Sequence, residues 1–109
     1  MTAPHMHYFT IEQRETLQRL LQQREAVLRA EIGEDRLADL DREPEAAALE
    51  RDVVELRDVE SALARLHTPE FGLCADCNAE IPYARLIAQA SATRCIACQA
   101  QREASATRV

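Results

Sequence analysis

The sequence predicts a mainly α protein: an antiparallel two-helix coiled-coil hairpin followed by a small four-cysteine module with short helices. Three observations predict it. Apolar residues recur at helical spacing over residues 10–32 and again over residues 49–66. The segment between these stretches is short and polar, as a helix–helix connection should be. The four cysteines fall as two C-x2-C pairs, Cys74 with Cys77 and Cys95 with Cys98, separated by seventeen residues. That spacing is the pattern of a zinc-finger module with four thiolate ligands.

Residues 1–9 read as a flexible N-terminus, and His5 and His7 as part of that tail. The hairpin is assigned to residues 10–67. Thr10 is placed as an N-cap, with Gln13 three residues on completing a capping box. Leu17, Leu20, Leu21, Val27, Leu28 and Ile32 share one face of the first helix, which Arg24 interrupts. Gly33 is placed to end this helix in a left-handed conformation.

The second helix is expected to begin between Asp41 and Glu45, with Pro44 tolerated in its first turn, and to run to about Leu66. Leu49, Leu56, Val59, Leu63 and Leu66 form its seam. Thr68-Pro69 stops it. The connection is acidic: Glu31, Glu34, Asp35, Asp39, Asp41, Glu43 and Glu45 stand against Arg36 and Arg42. Residues 33–45 are therefore read as an acidic loop at the tip of the hairpin. A solvated loop explains such charge without any function. A rigid pair of helices holding carboxylates at its far end is also a probe.

The zinc module is assigned to residues 68–104 and a frayed tail to 105–109. Gly72 lets the chain turn into the first cysteine pair. Asn78, directly after Cys77, suits a positive φ. Ile81-Pro82 opens a short helix through Tyr83, Leu86 and Ile87, and a C-terminal helix runs from Ile96 to about Ala104.

Each C-x2-C turn brings two sulfurs to one ion from a single loop, and two such turns complete a tetrahedron of soft ligands. With Cys74, Cys77, Cys95 and Cys98 as ligands, no position remains for a reactive water. One structural Zn²⁺ is the expected cofactor. Disulfides are the competing reading, without a signal-peptide pattern to support it; a C-x-x-C redox motif is another, without a βαβ pattern.

The charge balance of −6 excludes general binding to nucleic acid, and all thirteen cations are Arg. The residues show no nucleophile–base arrangement, and two glycines build no phosphate loop, so no enzyme is expected. Arg85, Arg94 and Arg102 are too few for a DNA footprint, and no direct sequence-specific DNA binding is expected. No stretch approaches a membrane span. A cytoplasmic monomer is the default.

Three segments resemble the DksA/TraR regulators of bacterial RNA polymerase: Phe71-Gly72-Leu73-Cys74-Ala75-Asp76-Cys77, Glu80-Ile81-Pro82 with Ala84-Arg85-Leu86, and Ala92-Thr93-Arg94-Cys95-Ile96-Ala97-Cys98. The preceding Leu56-Arg57-Asp58-Val59-Glu60-Ser61-Ala62-Leu63 is similar to the family's helix leading into the finger. The resemblance implies a transcription regulator that binds RNA polymerase directly and inserts its coiled coil into the secondary channel. Asp35, Asp39, Asp41, Glu43 and Glu45 would then be the partner-binding tip.

The family's tip pattern, Asp-x-x-Asp-x-Ala, has its nearest match in Asp41-Arg42-Glu43-Pro44-Glu45-Ala46, which departs from it by placing Pro44 where the second Asp should be. The resemblance also implies three basic positions for the alarmone ppGpp. Here they are Asp58, Gln89 and Gln99, so no alarmone site is expected. The alternative functions are a zinc-finger protein–protein adaptor and a thiol redox switch.

Overall fold

The computed structural model describes residues 9–43 and 50–107. They form five helices: α1 (Ile11–Ile32), α2 (Glu34–Arg42), α3 (Arg51–Arg65), α4 (Tyr83–Ala88) and α5 (Ile96–Thr107). The expected second start, between Asp41 and Glu45, gives way to a start at Arg51, and α5 runs three residues beyond Ala104. The seam position Leu49 and the tip positions Pro44 and Glu45 lie outside the described residues.

The Thr10–Gln13 box forms as the sequence reads. The Gln13 amide donates to the Thr10 hydroxyl at 3.0 Å, and the Thr10 amide donates to the Gln13 side-chain oxygen at 2.9 Å. α1 then packs against α3. Arg14, in the first turns of α1, donates to the carbonyl of Leu66 just past the end of α3. Arg36, beyond the end of α1, pairs with Glu50 just before α3. The two helices therefore run antiparallel. A cation on the last carbonyl of α3 also answers the negative end of that helix.

Leu17, Leu21 and Leu28 of α1 are buried in one cluster with Leu56, Val59, Ala62 and Leu66. Each leucine contributes on the order of 1.5–3 kcal/mol. Val27, assigned to the same face, lies 45% exposed. It stands a quarter-turn from Leu28, outside the contact. The Arg24 guanidinium grips Glu55 through two bonds of 2.6 and 2.7 Å. Arg29 pairs with Glu60. Five residues turn a helix by about 140°, so these two ion pairs flank the leucine seam on opposite sides.

The acidic stretch is not a loop. Residues 34–42 form α2, with Leu37 and Leu40 partly buried toward α3. The phase of the apolar stripe explains the break before it. At 100° per residue, Leu37 and Leu40 lie about 140° round from the Leu17–Leu21–Leu28–Ile32 stripe. A continuous helix cannot turn both sets to α3, and Gly33 resets the phase. It does so at φ 90°, ψ 154°, outside the left-handed helical region expected of it and in a region open essentially only to glycine.

The other end of the hairpin carries the finger and closes on aromatic rings. Phe9, expected at the end of a loose tail, is 4% exposed. Its ring meets Phe71 edge-on and Tyr83 at a tilt, with centroids 6.0 Å away in each case. Ile81 and Leu86 complete this base, together with Cys74.

Candidate metal centre and acidic tip

The first cysteine pair sits on a tight reversal. The amide of Ile81 donates to the Gly72 carbonyl and that of Cys74 to the Ala79 carbonyl, both at 2.7 Å. A single antiparallel bridge joins Leu73 and Glu80. Gly72 at φ 90° and Asn78 at φ 66° supply the two positive-φ positions this reversal needs. The second pair opens α5: the Cys95 carbonyl accepts from the Gln99 amide at 2.9 Å, so Cys98 projects from the first turn. The Ala75 amide donates to the Thr93 carbonyl at 2.7 Å and stitches one pair to the other.

This framework brings the four sulfurs within 4.8 Å of one another. A tetrahedral zinc with Zn–S of about 2.3 Å requires sulfurs about 3.8 Å apart. The Cys77 and Cys95 sulfurs stand at 3.8 Å. The residues fit the ion.

The electrostatics point the same way. Burial pushes the Cys74 thiol up, but the amides of Cys95, Cys77 and Asp76 outweigh it and bring it down to about 6. Cys98, crowded by the sulfurs of Cys95, Cys77 and Cys74, is pushed up to about 12. Four thiols this close do not all ionise unaided; a divalent cation supplies the missing charge. Four thiolates fill its coordination, and the ion builds structure.

An ion cluster that the sequence did not disclose braces this centre. Asp76, between the first two cysteines, accepts from Arg94 Nε at 3.0 Å and from Arg102 at 2.8 and 3.1 Å. The Arg102 and Arg94 guanidiniums hold its carboxyl below the usual range. Arg85 in turn donates to the Arg94 carbonyl at 2.9 Å. The three arginines considered for a DNA footprint are thus engaged within the finger. The signal was invisible in sequence, because Asp76 and Arg102 stand 26 residues apart.

At the other end, Asp35, Asp39 and Asp41 stand on α2, and Glu43 caps its end. They do not form one cluster. Asp35 and Asp39 are a turn apart on one face, and Asp39 pairs with Arg42. Asp41 lies about 200° round from Asp39, on a groove lined by Arg29, Leu37, Leu40, Val53 and Arg57. Glu45 falls outside the described residues.

Of the three positions matched to the alarmone site, Asp58 and Gln89 line one shallow depression with Arg51 and Ser91. Gln99 turns to Glu103 on its own helix, at 2.9 Å. Desolvation raises the Asp58 carboxyl, against the opposing pull of Arg94 and Arg65, and the residue itself supplies no cation.

The fold and the site together define a helical hairpin carried on a four-cysteine zinc finger. Residues 69–104 match the prokaryotic dksA/traR C4-type zinc finger. The chain is also similar to the structure of transcription factor DksA2 from Pseudomonas aeruginosa. That similarity has a TM-score of 0.66 at 25% identity, over 91% of this chain and 89% of that one. No curated protein sequence matches it. Finger and fold thus point to the same likeness: the finger to the dksA/traR type, and the chain to a solved DksA2 structure. None of its described helices is long and apolar enough to cross a membrane.

Proposed function

We propose that this protein is a transcription regulator of the DksA type that binds RNA polymerase directly. One observation carries the reading: an acidic helix stands at one end of an antiparallel hairpin, and a DksA/TraR zinc finger stands at the other. In this reading the finger, with Cys74, Cys77, Cys95 and Cys98 on one zinc ion, roots the hairpin at the rim of the secondary channel. The hairpin carries Asp35, Asp39, Asp41 and Glu43 inward, with Glu45 following in sequence. Carboxylates delivered near a catalytic Mg²⁺ perturb its field and alter promoter complexes.

The protein works as a cytoplasmic monomer and does not touch DNA bases. Its arginines in the finger are spent on Asp76 and on the Arg94 carbonyl, and four thiolates leave the zinc no open position for catalysis. No alarmone site forms at Asp58, Gln89 and Gln99. The protein-adaptor alternative shares every feature except the acidic helix.

Replacing Asp39 and Asp41 together by Asn tests the tip. The expected result in a purified promoter assay is unchanged polymerase binding with a weakened effect on transcription. An undiminished effect would reduce α2 to a connection.

A further inference from the structure

We propose that Gly33 is a hinge that gives the acidic helix two positions: bent, as observed, with Leu37 and Leu40 on a groove beside α3, and straight, as a continuation of α1. Within the family reading this sets how far the tip reaches. The hinge itself does not depend on that reading.

The backbone ladder is nearly continuous across the break. The Gly33 amide still donates to the Arg29 carbonyl at 2.9 Å, and the Leu37 amide donates to the Gly33 carbonyl at 3.0 Å. Among the described residues, no backbone bond joins the amides of Glu34, Asp35 and Arg36 to the carbonyls of Ala30, Glu31 and Ile32. Those are the three pairs a single helix would make. No side chain caps α2 in compensation. Rotating Gly33 alone into the helical region closes all three.

Two contacts oppose that rotation. Leu37 and Leu40, partly buried in the folded position, would swing about 140° away from the seam and into solvent. The Arg36–Glu50 pair would open. Both positions thus hold something the other lacks: three hydrogen bonds against two half-covered leucines and one exposed ion pair.

The connection allows the change. Carried straight, Arg42 would stand about 14 Å beyond Gly33 along the α1 axis. Eight residues lie between Arg42 and Arg51, and their nine Cα–Cα steps can span about 30 Å.

Gly33 also offers an unusually clean perturbation. A Cβ built there would meet nothing within 4 Å. Alanine therefore clashes with no neighbour and is disfavoured only by the backbone angles of the folded position. It is at the same time a better helix former than glycine. Strain removed and helix gained act in one direction, and Gly33→Ala should shift the balance toward the straight position on the order of 30-fold or more.

The test is a spin-label distance on the full, zinc-loaded chain. Azide-bearing side chains at the exposed positions Arg19 and Ala38 leave the four thiols untouched. In a straight helix their backbone separation is about 28 Å. Wild type should show mainly a shorter distance, and Gly33→Ala mainly the long one. Leu37→Ala with Leu40→Ala keeps the glycine, removes the latch, and should move the distribution the same way. Unchanged distances in both variants overturn the hinge. Should Gly33→Ala only disorder α2, the leucine variant decides. Polymerase takes no part in this measurement. A hinge that moves in a protein that fails to bind polymerase would defeat the functional reading and leave the hinge standing.

Discussion

Replacing Phe9 by Ala tests whether the residue ahead of the first helix closes the base of the hairpin. Phe9 is 4% exposed, with the rings of Phe71 and Tyr83 each 6.0 Å away. Truncating a buried Phe costs about 3–5 kcal/mol from lost transfer energy and the cavity left behind. Phe9 lies at the edge of the core, where neighbours can settle inward, so the low end, about 3 kcal/mol, applies. In a domain of this size each kcal/mol lowers Tm by about 4–8 °C, which predicts a drop of roughly 12 °C or more.

Urea unfolding of the zinc-loaded protein, followed by far-ultraviolet circular dichroism, reads the change directly, with the slope unchanged if only the native state is affected. Phe9→Leu separates packing from ring geometry: it keeps most of the volume and should cost no more than about 1.5 kcal/mol. A loss below about 1 kcal/mol for Phe9→Ala would refute the aromatic base and return Phe9 to the loose tail that the sequence suggested.

Further outcomes follow from the same structure. Cys74→Ser, or zinc removal by a chelator, should unfold the finger, expose the Phe9–Phe71–Tyr83 cluster and abolish partner binding; intact near-ultraviolet dichroism in the metal-free protein would contradict this. Glu55→Gln should cost about 0.5–1 kcal/mol near neutral pH, a modest figure because the Arg24–Glu55 pair is 38–45% exposed. The hydrogen bond from Arg24 lowers the Glu55 pKa from 4.5. That contribution is complete above the unfolded value and disappears as pH falls through the lower folded one. The stability difference between wild type and variant should therefore hold down to about pH 4.5 and close below it; a gap that instead closes as pH rises would be the wrong sign. Adding the protein to RNA polymerase should leave ppGpp affinity unchanged, because Asp58, Gln89 and Gln99 supply no cation; a clear gain would show an alarmone site.

What the sequence disclosed, and what it hid, divides by the range of the interaction. The Thr10–Gln13 box, the positive φ of Gly72 and Asn78, and the C-x2-C reversals are local, and each residue type states its own backbone requirement. The metal centre was legible because thiolate spacing has few other uses. α2 was misread as loop because charge density masked two leucines out of phase with α1. Gly33 ends α1 as its residue type suggested, but not in the left-handed conformation expected, and it also starts a second helix at a new phase. Phe9 belongs to no periodic stretch, so nothing in sequence distinguished it from the tail. The Asp76–Arg94–Arg102 cluster joins residues far apart in the chain, and only the closed finger makes them neighbours.

The central claim, that this hairpin on its zinc base binds RNA polymerase through the secondary channel, is tested most directly by competition. Core polymerase should retain the zinc-loaded chain, and an unrelated secondary-channel factor should displace it in a concentration-dependent way. Retention that the competitor leaves untouched, or no retention at all, would contradict the account.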